Sequence, residues 1–161
     1  MAGSLSALDF FAAKLAFEVT PDALSTALTG PTPPTVVDTR PLSAWRRGRV
    51  PGALHIPYER LGSFDPDLLP DEDADIVVYS WGRDDLGGAR AAVALLRQGY
   101  MQVRELVGGF DAWEDAGFEV VAEPGQVRHL PTPVSVTRPV RPQHSAGASS
   151  LTAARPLSVR G

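Results

Sequence analysis

The chain has 161 residues, 43% of them hydrophobic and 21% charged, which suits one globular domain with a sizeable core. No apolar run approaches the roughly 20 residues needed to cross a bilayer, and the absence of cysteine excludes disulfides, thiolate metal sites and thiol chemistry. Ten basic and all 19 acidic residues lie at or before Glu123, so this part carries −9 and the remainder +5, a balance that argues against nucleic-acid or membrane binding.

Residues 5–13 predict a short amphipathic helix and residues 15–19 an extended piece, interrupted by Asp9, Lys14 and Glu18 in a way no secretory signal is. The expected location is therefore the cytoplasm. Thr20-Pro21-Asp22 opens a second helix, with Thr20 able to cap and Pro21 placed where its missing N–H is harmless. That helix ends by Gly30-Pro31. Thr35-Val36-Val37-Asp38 is a strand, followed by a helix from Pro41 to about Gly48 and a strand over 53–56.

Ile76-Val77-Val78-Tyr79 is a buried strand that runs into the loop Ser80-Trp81-Gly82-Arg83-Asp84-Asp85-Leu86-Gly87-Gly88. A helix over 89–98, a strand over 103–107 and a short helix over 110–116 complete the pattern. Strands alternating with helices predict an α/β domain with a central, mainly parallel five-stranded sheet. Its ligands should gather at the carboxyl ends of the strands, where Asp38, Arg40 and Ser80 fall. The segments assign 1–14 to an N-terminal helical extension, 15–123 to the domain, and 124–161 to a Pro/Arg-rich tail. Pro131, Pro133, Pro139, Pro142 and Pro156 recur there among Ser, Thr, Ala and Gly, a composition that predicts disorder.

Three motifs in order resemble the single-domain rhodanese-like sulfurtransferase family. Val36-Val37-Asp38-Thr39-Arg40 matches a strand ending in Asp-x-Arg. Gly48-Arg49-Val50-Pro51-Gly52-Ala53-Leu54-His55-Ile56-Pro57 resembles Gly-His-Ile-Pro-Gly-Ala, and Gly108-Gly109-Phe110-Asp111-Ala112-Trp113 matches Gly-Gly-x-x-x-Trp. The resemblance spans about residues 15–121 and implies a three-layer rhodanese-like domain. It is strongest to a bacterial subgroup whose loop reads Tyr-Cys-Trp-Gly with a second cysteine and then Asn-Gly. Here Tyr79-Ser80-Trp81-Gly82 puts serine at the nucleophile position, Asp85 at the second cysteine, and Leu86 at the asparagine.

Sulfur transfer stores sulfur as a persulfide on a thiolate, and a serine hydroxyl forms none. No catalytic residue is intact. The expected function is an inactive binding or regulatory module, its partner a protein or a small anion held by the loop Ser80, Trp81, Gly82, Arg83, Asp84 and Asp85, with Asp38 and Arg40 at the rim. The alternatives are a sulfurtransferase with non-standard chemistry, an engineered Cys-to-Ser form of an active enzyme, and a structural remnant without ligand. Loss of the second loop cysteine as well favours a natural origin. A serine-hydrolase elbow needs a histidine beside Ser80, and the chain offers only His55, placed in a strand, and His129 and His144 in the tail.

The competing expectation for the loop is that Asp84 or Asp85 caps the following helix and fills its positive end. Asp38 is expected to bind backbone N–H groups and Arg40 to pair with Glu59 or Asp111. Arg46, Arg47 and Arg49 form a basic cluster able to steer an anion but read rather as a solvated helix end. Trp81 is expected to stack on a ligand at the pocket mouth or to pack against Tyr79, and Trp113 to be core. No spacing of His, Asp or Glu suggests a metal site, and no cofactor is expected.

Overall fold

A computed structural model describes residues 5–64, 66–123 and 126–128. Helix α1 (Ala7–Phe17) opens on a capping box: the Asp9 N–H donates to Ser6 Oγ, and the Ser6 N–H donates to the Asp9 carboxylate. It continues four residues beyond the predicted end because Lys14 pairs with Glu18 one turn on, so the extended piece shrinks to β1 (Glu18–Val19). Nor is α1 amphipathic in effect, since it has no buried residue.

Helix α2 (Pro21–Leu28) starts at Thr20, whose Oγ1 accepts from the Ala23 N–H. Next come β2 (Thr35–Asp38), α3 (Leu42–Arg47), β3 (Leu54–His55), β4 (Asp75–Tyr79), α4 (Gly87–Arg97), β5 (Gln102–Leu106), α5 (Gly109–Asp115), β6 (Val120–Ala122) and β7 (Gln126–Arg128). The main sheet is five-stranded in the order β1-β5-β4-β2-β3, and every pairing in it is parallel.

Alternation along β2 and β4 divides the core between the two faces of the sheet. Val36, Val77 and Tyr79 pack with Leu24, Val50, Leu106, Phe110, Trp113 and Val120. Val37, Ile76 and Val78 pack with Ile56, Leu61, Ala91, Leu95 and Val103, beneath α4. Trp113 is core as expected, its indole N–H donating to the Glu119 carbonyl.

β6 and β7 form a separate antiparallel pair, with Val120 opposite Arg128. Part of the stretch read as tail is thus a strand, while residues 124–125 and 129–161 lie outside the described residues. β4 leads through α4 on one face, and its neighbour β2 leads through α3 toward the other. The carboxyl ends of β2 and β4 therefore border the crevice where connections diverge.

Candidate functional site

The register that pairs Asp38 with Tyr79 sets Thr39 and Arg40 beside Ser80. Thr39 fastens the two strand ends, with both its N–H and its Oγ1 donating to the Tyr79 carbonyl at 3.0 and 2.9 Å. Ser80 is buried at the mouth of the loop. Its own carbonyl accepts from the Phe110 N–H and the Trp81 carbonyl from the Asp111 N–H, both at 2.9 Å. This approach requires Gly109: φ is +57°, and a Cβ there would stand 2.7 Å from the Ser80 carbonyl oxygen.

The loop folds back on itself through Asp85. One carboxylate oxygen accepts from the Gly87 N–H at 2.9 Å and the other from the Trp81 N–H at 3.2 Å. The Ser80 hydroxyl also hydrogen-bonds this carboxylate and is the main influence holding it below the usual carboxylate range, with the two backbone N–H groups acting in the same direction. Gly87 is needed at this junction, since a Cβ would lie 2.5 Å from Ser80 Oγ and 2.9 Å from the Asp85 carboxylate.

A second carboxylate reaches the same helix from the sheet. Glu105 on β5 accepts from the Ala89 N–H, and Gly88 packs so closely that a Cβ would come within 2.5 Å of its Oε1. Burial, followed by the neighbouring Glu18 charge, raises the Glu105 pKa. The sequence reading missed this residue. Its one signal was a carboxylate in the middle of the β5 run, Val103-Arg104-Glu105-Leu106.

Arg83 and Asp84 are exposed and turn away from Ser80, lining a cavity with Thr20, Asp22, Gly108 and Asp115. The six residues expected to form one anion loop are therefore divided. Ser80, Trp81 and Asp85 close around the start of α4, Gly82 packs against the Asp111 carboxylate, and the remaining two face solvent.

Arg40 corrects the sequence expectation. Its partner is Asp38, not Glu59 or Asp111: Nε lies 3.0 Å from Oδ1 and Nη2 lies 2.6 Å from Oδ2, and Nη2 also donates to the Gly48 carbonyl at 2.7 Å. Asp38 further accepts from the Arg40 N–H and, at 2.6 Å, from the Tyr79 hydroxyl. That hydroxyl in turn accepts from the Val50 N–H, and burial beside the Asp38 charge raises its pKa well above that of free tyrosine. The guanidinium sits 3.8 Å from the Phe110 ring centre and 5.3 Å from the rings of Tyr79 and Trp81. Trp81 thus covers Arg40 while keeping one side open to solvent.

The basic cluster is not simply solvated. Arg49 lies over the Trp45 ring at 3.8 Å, and Arg46 pairs with Glu123 at 3.3 Å. His55 is in β3, as expected, where its Nε2 bonds the Arg40 carbonyl and its ring stacks on Trp45. It is committed to the scaffold. A mouth of about 370 Å3 opens beside Trp81, lined also by Arg40, Arg47, Phe110, Asp111 and Glu114. A larger cavity, about 670 Å3, lies away from Ser80 among Leu28, Pro33, Pro51, Trp113 and Phe118. Its one titratable lining residue is Glu119. Among the described residues no cluster of His, Asp and Glu could hold a metal, and no helix is long and apolar enough to cross a membrane.

The all-parallel sheet and the strand–loop–helix junction between β4 and α4 at its switch point define an open α/β domain. Residues 20–116 match the rhodanese-like domain, and the chain belongs to that family. It is 31% identical over 108 residues to a sulfurtransferase of Allochromatium vinosum, covering 67% of this chain and 97% of that protein. It is 34% identical over 94 residues, 51% of its length, to the Arabidopsis thaliana mitochondrial protein HIGH ARSENIC CONTENT 1, and spans only 53% of that relative. The crystal structure of the BH2092 protein from Bacillus halodurans superposes with a TM-score of 0.64 at 28% identity, covering 74% of this chain and 86% of that one.

Proposed function

We propose that this protein is a non-catalytic rhodanese-like module, a pseudoenzyme whose site binds a partner rather than transferring sulfur. The observation that carries this is Asp85: its carboxylate takes the Trp81 and Gly87 N–H groups and the Ser80 hydroxyl, the donors that would otherwise serve an incoming anion. A resident negative charge repels anionic sulfur donors as well as filling their donors. The serine is no substitute nucleophile, because a carboxylate held below its usual pKa is a poor base and His55 is bonded elsewhere.

The mixed-charge mouth of Arg47, Asp111 and Glu114 around a half-open Trp81 suits a polypeptide better than a bare anion. A protein partner is therefore the favoured ligand.

Thiosulfate and cyanide turnover by the purified protein tests this directly. The expected result is no thiocyanate above the uncatalysed rate and no protein-bound sulfane sulfur. Turnover that disappears in Ser80→Ala would overturn it. Thermal-shift titration with thiosulfate, sulfate and phosphate should show no displacement of the midpoint, and a saturable shift would restore the small anion as ligand.

A further inference from the structure

Nine of the eleven residues of α1 are apolar, and none is buried. An isolated helix of this length is marginal in water and ordinarily relies on packing one face. The two sides of α1 differ. Phe10, Ala13 and Phe17 form the less exposed side, at 48% for Phe10 and 52% for Phe17. The opposite stripe, Leu8, Phe11, Ala12 and Leu15, stands well clear of the domain, with Leu8 78%, Phe11 61% and Leu15 88% exposed. The spacing i, i+3, i+4, i+7 puts these four on one face.

The geometry points to a homodimer in which α1 packs antiparallel on α1 of a second copy. A two-fold axis between Phe11 and Ala12 sets Leu8 of each copy on Leu15 of the other, because these two lie at nearly the same helical angle and at equal distances from the axis. The Phe11 rings then meet along one flank, and the Ala12 methyl groups along the other let the helices approach closely. No charge is trapped: Asp9 and Lys14 sit off the stripe, where Asp9 is held by Ser6 and Lys14 by Glu18.

An anionic membrane is a worse match. α1 with Glu18 holds two acidic residues and one basic, and residues 1–123 carry −9, whereas surface-binding helices are rich in Lys and Arg. The stripe is small. A helix pair built on it buries less than the roughly 1,600 Å2 of a standard stable interface, so the dimer is weak and concentration-dependent.

Sedimentation velocity on the full chain, from about 1 to about 200 μM, reads that concentration dependence. The mass should rise toward twice the 17.1 kDa monomer. Leu8→Asp/Leu15→Asp should stay monomeric throughout with unchanged circular dichroism, because both side chains are exposed in the monomer. Leu8→Asp/Leu15→Lys should recover dimerisation, since the antiparallel register faces each new aspartate with a lysine. A wild-type chain monomeric at the highest concentration, or a double-aspartate variant that still dimerises, would sink the proposal. Recovery failing in the Asp/Lys variant overturns the antiparallel register, and co-sedimentation of wild type with phosphatidylcholine/phosphatidylserine vesicles, lost in the double-aspartate variant, would assign α1 to lipid.

Discussion

Asp38 and Arg40, two positions apart, form a buried forked ion pair, 0% and 1% exposed, with Nη2 2.6 Å from Oδ2. The pair ties the end of β2 to the Tyr79 hydroxyl on β4 and to the Gly48 carbonyl after α3, so it braces the crevice from three directions. Burial of two charges is tolerated because almost every polar atom of the pair has a hydrogen-bond partner or an aromatic face against it.

Removing one member should cost far more than a surface pair would. Arg40→Ala leaves Asp38 buried without its counter-charge, and an expected loss of about 3–5 kcal/mol is readable from urea denaturation. Arg40→Lys keeps the charge but loses the fork and the flat stack on Phe110, so it should recover only part of that loss. A drop below about 1 kcal/mol for the alanine variant would show that the pair is not structurally important.

Asp85 and Glu105 bias the start of α4 in opposite directions with pH. The Asp85 pKa is lowered by folding, so its contribution is present above the ordinary carboxylate pKa and is lost as pH falls through the depressed folded value. Asp85→Ala should destabilise by about 0.5–2 kcal/mol near neutrality, the scale of a lost helix cap, and should remove that part of the acid sensitivity. Thermal midpoints of the two proteins measured from neutral pH into acid check both halves, and parallel curves would disprove the second.

Glu105 has the reverse sign. Its folded pKa is raised by burial and by Glu18, so the ionised form is penalised in the fold at neutral pH, and the penalty is relieved as pH falls through the folded value. Glu105→Gln keeps an acceptor for the Ala89 N–H and removes the charge. Its unfolding midpoint at neutral pH should equal or exceed that of the wild type, and the wild-type advantage gained on mild acidification should vanish. A lower midpoint at neutral pH would mean that the ionised cap outweighs its burial.

Restoring a thiol tests what else stands between this site and chemistry. Ser80→Cys places the sulfur against the Asp85 carboxylate, which raises the thiol pKa and repels thiosulfate. Turnover should be weak or undetectable. Adding Asp85→Ser frees the Trp81 and Gly87 N–H groups, and a rise of on the order of tenfold per pKa unit in thiolate at fixed pH is expected. The pH dependence of iodoacetamide alkylation reports the thiol pKa independently of turnover. Asp84→Gly should add little, because Asp84 faces solvent. Equal activity with and without Asp85 would show that serine alone separates this chain from catalysis.

The sequence by itself determined the alternation of strands and helices, the family motifs, and the loss of thiol chemistry. These depend on local patterning and on composition: apolar runs such as Ile76-Val77-Val78-Tyr79, Pro and Gly punctuation, and a single hydroxyl where a thiol would be. The capping expectation also depended on a short span, and Asp85 lies two residues from the N–H it takes. What only the tertiary structure decided were pairings between distant segments. Glu105 reaches α4 from the neighbouring β5, Phe110 stacks on Arg40 from 70 positions away, and Asp38 bonds a hydroxyl 41 residues along the chain. Charge partners in particular are chosen by which strands lie side by side. Arg104 on β5 pairs with Asp75 on the adjacent β4 in this way, whereas Arg40 finds its partner locally, the turn after β2 folding its guanidinium back onto Asp38.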